Sequence, residues 1–195
     1  MSTSVSEHIY ELEPHIKVAR ARAGVLLFIF SDALSVLAIL AAGGYLSALN
    51  TEGAFMGKGD HPPAFLPTLG VAILLVLSGI CYYLWERRER QSADSAPRVV
   101  YILAWALMLV TLAGQLWISI TTKFATIDAY ASVIIMLNWY SVFHYALAAI
   151  IGLLLLGRVL QGRRAGHDYV VEAIGYWWYY TVIASLLMWI FGMLL

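Results

Sequence analysis

The 195-residue chain is 62% hydrophobic and 12% charged, with a mean hydropathy of +0.78, whereas soluble domains run at about 45–50% apolar and about 25% charged. A water-soluble globule of this size cannot hide so much apolar surface. The same arithmetic excludes a disordered chain and a nucleic-acid binder, since twelve basic and twelve acidic residues cancel. A lone cysteine, Cys81, excludes an intrachain disulfide. The composition is that of an all-α integral membrane protein.

Residues 1–22 read as an N-terminal arm that mixes Glu7, Glu11 and Glu13 with Lys17, Arg20 and Arg22. Val5 to Arg22 reads either as a short surface helix or as a solvated tail. Residues 23–195 then form one membrane domain. An apolar helix needs about 20 residues, at about 1.5 Å each, to cross the hydrocarbon core. Five segments qualify: Ala23–Ser47, Leu66–Trp85, Val99–Thr121, Ala131–Gly157 and Tyr169–Leu195. The first is too long for the core of a cleaved signal peptide, which spans about 7–15 residues.

The link Thr51–Pro67 holds Gly53, Gly57, Gly59, Pro62, Pro63 and Pro67, which rules out a long helix there. The next, Glu86–Arg98, is a charged run that ends at Pro97. A short link follows around Thr122–Tyr130, and the last, Arg158–Asp168, is basic with Gly162 and Gly166. The arm and the second and fourth links carry ten Lys or Arg residues, while Lys58 and Lys123 are the two on the other side. The positive-inside rule therefore predicts a cytoplasmic N-terminus and an outside C-terminus.

Asp32 lies ten residues past Arg22, about 15 Å into the bilayer. A carboxylate at such depth costs on the order of 2.5–3.5 kcal/mol on insertion scales, so it needs protein around it, a partner or a proton. Two readings stand: a proton-linked or lipid-headgroup site, and a polar clasp between helices. His144 lies fourteen residues before Arg158, about 21 Å from the same surface. The two depths agree within about one helical turn, which predicts an Asp32–His144 contact that offsets both desolvation penalties.

Beside His144, the residues Tyr140, Ser141, Leu147 and Ala148 supply no strong metal ligand. His8, His15, His61 and His167 fall in arms or links, so neither a haem nor a metal site is expected in this chain. Gln115 and Asn138 suit an interhelical hydrogen bond. Glu172 suits snorkelling or a pair with a basic loop residue. The run Tyr176-Trp177-Trp178-Tyr179-Tyr180 reads as interfacial anchoring or partner packing, with a quinone-stacking platform as the alternative. Ala38/Ala42 and Ala148/Gly152 have the four-residue spacing that permits close helix packing. There is no Gly-rich phosphate loop and no nucleophile–base set, and the uninterrupted spans do not have the broken helices usual in transporters.

The order of these features resembles subunit III of the haem–copper oxidases, in its short five-helix form. Ser31-Asp32 in the first span is similar to the family's Ser-Glu or Ser-Asp pair. Phe143-His144, followed by an apolar run and a basic link, is similar to the family's Gly-Leu-His-Val helix. The last, aromatic-rich helix enters through Trp177 and Trp178. The resemblance extends from about Arg20 to Leu195. Ser141 stands where the family usually has a second histidine, no glutamate lies near Gln115, and Thr181 or Val182 stands near a family aspartate, so the chain reads as a divergent member.

What the resemblance implies is an accessory subunit with no catalytic residue, haem or copper of its own, the cofactors residing in the partner catalytic subunit I. It implies a respiratory-chain protein of a bacterial or archaeal cell membrane that stabilises the oxidase, binds lipid and supports proton uptake during oxygen reduction. Asp32 would be the buried acid, with His144 its partner. Ser31, Ser35, Gln115 and Trp178 would offer lipid or subunit contacts. A subunit III-like component of a nitric oxide reductase fits the same pattern. An independent membrane enzyme, or a transporter using Asp32, is the reading from another class.

Overall fold

A computed structural model describes residues 14–51, 53–91, 97–124, 128–161 and 168–195. These residues form five helices: α1 (Pro14–Ala48), α2 (Phe65–Gln91), α3 (Arg98–Thr121), α4 (Ala129–Leu160) and α5 (Asp168–Leu194). Each is long and apolar enough to cross a membrane. All five expected spans are present. Most run past their expected ends, because charged residues at the flanks continue the helical hydrogen bonding once a span is nucleated.

The extension matters most in α1. The arm is not a separate surface helix at its C-terminal half: residues 14–22 continue straight into the first span, so the expected boundary at residue 22 is not a break in structure. The first thirteen arm residues, including His8, lie outside the described residues, as do Arg163, Arg164 and His167 in the last link. Pro67 falls in the first turn of α2, where its missing N–H has no intrahelical partner to lose.

Asp128 starts α4. Its side chain accepts from Ala131 N at 2.8 Å, the N-cap bond that satisfies a free N–H of the first turn. The other carboxylate oxygen accepts from Gly57 N, and Tyr130 N donates to Phe55 O at 3.0 Å. The α1–α2 link is thus fastened to the start of α4, with Phe55 buried against Tyr130. Gly53 and Gly59 adopt φ of 77° and 94° within that link, a region open to glycine at little steric cost.

Helices α2, α3, α4 and α5 pack in a closed ring, each touching the next and α5 returning to α2. Its core holds Tyr82, Trp85, Tyr101, Met108, Ala148 and Trp178. Gly152 lets α4 approach closely: a Cβ there would stand 2.8 Å from Trp105 and 2.9 Å from Trp178. The Ala148/Gly152 stripe therefore lies at an interface, as its spacing suggests. Ala38 and Ala42 do not, being exposed. The close approach on α1 is at Gly43 instead, whose Cβ would meet Phe191 and Val133 at 2.9 Å.

Helix α1 stands outside the ring, in the groove between α4 and α5. Leu27, Phe30, Leu34 and Leu37 are more than half exposed along its outer face. A second core, formed by Val36, Phe55, Val133, Ile134, Leu137, Ala184 and Met188, joins α1 to the ring.

Candidate functional site: a buried carboxylate between three helices

Asp32 sits where α1 crosses the α4–α5 groove, and three side chains converge on it. His144 Nε2 lies 2.7 Å from Oδ2, Tyr180 donates to Oδ2 at 2.5 Å, and Tyr140 donates to Oδ1 at 2.8 Å. The His144 side chain is 0% exposed and that of Asp32 is 9% exposed. The contact expected from matching helix depths is therefore present. A buried carboxylate with three partners avoids most of the penalty of leaving water.

The hydrogen bonds also count the protons. His144 Nδ1 lies 2.8 Å from the Tyr140 carbonyl oxygen, and a carbonyl only accepts, so Nδ1 carries hydrogen. The Nε2–Oδ2 contact then needs one further proton, either on the imidazole or on the carboxyl. Without it, two lone pairs would face each other at 2.7 Å. The pair holds this proton at zero net charge, an arrangement suited to a low-dielectric site. Trp177 covers His144 from the far side, with rings parallel to within 5° and centroids 5.7 Å apart, and Phe28 of α1 packs on that indole.

Sequence reasoning placed Asp32 and His144 but assigned no role there to Tyr140 or Tyr180. The signal was available for Tyr140, which lies one turn before His144. For Tyr180 it was hidden by the aromatic run. Each of those five aromatics has a partner inside the chain, with Trp177 and Trp178 buried and the three tyrosines partly exposed. Tyr176 donates to Glu172, Trp177 covers His144, Trp178 stacks on Tyr82 at 4.8 Å, Tyr179 donates to Glu86 and Tyr180 reaches Asp32. Consecutive helical residues fan out by about 100°, and α5 meets α1, α2 and α4 around its circumference.

Two expected contact residues are placed differently. Trp178 is 0% exposed and donates through Nε1 to Ser78 Oγ at 3.2 Å, inside the ring. Gln115 is buried and bonds Asn138 at 3.2 Å. Neither presents a surface to lipid or to another subunit, because both need polar partners that only the ring interior supplies. Ser31 and Ser35 are exposed on α1, with Ser35 Oγ donating to the Ser31 carbonyl at 3.3 Å.

A second polar group joins α1, α2 and α5 nearer the basic end. Glu172 pairs with Arg22 of α1 at 2.5 Å, and Glu86 pairs with Arg90 at 2.6 Å. Glu86 and Glu172 both line a cavity of about 300 Å³. Among the described residues no three His, Cys, Asp or Glu side chains converge as a metal-ligand set.

No protein-family profile matches the chain, and no curated protein matches it. The fold itself defines a multi-pass membrane protein of five apolar helices, with a carboxylate–imidazole pair between its first and fourth spans.

Proposed function

We propose that this chain is the accessory, cofactor-free subunit III of a respiratory haem–copper oxidase, in a bacterial or archaeal cell membrane with its N-terminus cytoplasmic. The observation that supports this most is the meeting of Asp32 and His144. The two carry the resemblance to that family, stand 112 positions apart and are 2.7 Å from each other. The outer face of α1, with Ser31, Ser35 and its row of exposed Leu and Phe side chains, is available for lipid or for the catalytic subunit. The ten-to-two distribution of Lys and Arg supports the orientation. In this reading haem and copper belong to the partner subunit, and the chain stabilises it while supporting proton uptake.

The test is purification of the tagged chain from native membranes in a mild detergent, followed by identification of what accompanies it. A large haem-containing subunit in near-equal amount is the expected result, and its reaction with oxygen or nitric oxide separates an oxidase from a nitric oxide reductase. Folded chain recovered alone overturns the proposal. That outcome would turn attention to a transporter using Asp32, a reading favoured by the proton held between Asp32 and His144, and tested by pH-driven flux in vesicles.

A further inference from the structure

Across α4 from the Asp32 cluster, Ser141 and Tyr145 follow Tyr140 and His144 by one residue and line a different space. It is a cavity of about 40 Å³ walled by all four helices of the ring, with Gln115, Asn138, Ser185 and Trp189 also on its surface. No Asp, Glu, Lys or Arg lines it, so it has no counter-charge for an ion. Its wall is mixed, with Val71, Leu75, Ile134 and Leu137 beside the polar groups, and its volume is too small for an acyl chain.

Two of its polar atoms lack partners. Ser185 Oγ and Trp189 Nε1, one turn apart on α5, are buried without a hydrogen bond. The Tyr145 hydroxyl stands within hydrogen-bond reach of Ser185 and Ser141, but its contact to Ser185 falls short of proper hydrogen-bond geometry. A buried polar group left unsatisfied costs about 1–3 kcal/mol. Gln115 and Asn138 form one bond with each other, which leaves each amide with further donors or acceptors.

We propose that this cavity is a water-binding site, holding a cluster that bridges Ser185 and Trp189 to the Gln115–Asn138 pair and Tyr145. Genuinely empty cavities are apolar, and a water needs about 10–15 Å³ of such volume with two to four polar partners, so the space admits about three molecules. The cluster completes the hydrogen bonding of α3, α4 and α5 inside the ring. Pro63, in the α1–α2 link, also lines the cavity. The inference stands independently of the function proposed above.

Hydroxyl-radical footprinting of the intact protein in nanodiscs tests it, because radicals form from the bound waters themselves. Met188 and Met108 are an internal comparison: they are 1% and 0% exposed, and only Met188 lines the cavity. Oxidation of Met188 several-fold faster than that of Met108 is expected; equal protection of the two overturns the proposal. Ser185→Ala is the second measurement. A lowered melting temperature is expected, since the variant loses a bond to water, whereas a raised one shows that a dry, unsatisfied hydroxyl has been removed.

Discussion

Tyr180 of α5 donates its hydroxyl hydrogen to Asp32 of α1 at 2.5 Å, across 148 positions of sequence. Nearly the same offset recurs at two other points of the interface. Arg22 meets Glu172 150 positions on, and Gly43 meets Phe191, again 148 positions on. The first and last helices therefore run parallel and in register, fastened at three depths by an ion pair, a carboxylate cluster and a glycine seat about 15 Å apart. Outside the ring, α1 depends on these contacts for its position.

Removing one partner of the buried pair should be severe. Asp32→Ala is expected to lower stability by about 3–5 kcal/mol, because it leaves His144 and two hydroxyls without their acceptor. In a cycle of Asp32→Asn and His144→Gln, the double variant should lose less than the sum of the singles, with a coupling of about 1–3 kcal/mol. Unfolding in detergent measures it, and strict additivity would contradict the observed contact.

The two tyrosines can be separated from the pair. Tyr140→Phe and Tyr180→Phe each delete one donor to the carboxylate and should cost about 1.5–3 kcal/mol, the range for bonds to charged groups. Tyr180→Phe should in addition increase the accessibility of α1 to crosslinkers or proteases, since that hydroxyl is the α5 side of the cluster. Tyr140→Phe should not, because His144 still holds Asp32 to α4.

Hydrogen-bond counting makes a spectroscopic prediction. Nitrogen-15 NMR of labelled His144 should show Nδ1 carrying hydrogen, bonded to the Tyr140 carbonyl. A bare Nδ1 would mean that the ring is turned over and that the proton count of the pair differs.

Two glycines on α4 should respond in opposite ways. Gly152→Val forces branched carbons against Trp105 and Trp178, and overpacking of this kind costs about 1–3 kcal/mol or more. At Gly157 no atom lies within 4 Å of the added Cβ, so Gly157→Ala should be neutral or stabilise by up to about 1 kcal/mol through helix propensity. Thermal unfolding of both variants in one detergent compares them directly.

Arg22→Ala should have a small effect despite the short Arg22–Glu172 distance. The arginine side chain is 47% exposed, and exposed pairs are worth about 0–1 kcal/mol and weaken with salt. Unfolding at low and high ionic strength should therefore show the variant approaching the parent as salt rises.

The legible part of the site was the part governed by depth. Asp32 and His144 stand out because ionisable groups are rare and costly in hydrocarbon, and residue counts from the basic flanks put them at one level. Tyr140 and Tyr180 carried no such mark, since a tyrosine in a span is ordinary and its partner depends on which helices adjoin. The Trp178 expectation failed for the same reason. Which members of a run of five aromatics turn inward depends on the helices around it, and here Trp177 and Trp178 are the buried ones.

The five spans, the helical class and the polar links between them could be read from the order of residues alone. These follow from composition and from the length needed to cross hydrocarbon, which are local quantities. That α2 to α5 close into a ring, that α1 lies outside it parallel to α5, and that Gln115 and Trp178 turn inward emerged from the packing of the helices. In a lipid-like environment apolar side chains are satisfied on any face, so hydrophobicity does not say which helices touch. Close packing at glycines such as Gly43 and Gly152, and the need of buried polar groups for partners, select the arrangement, and both involve residues far apart in the chain.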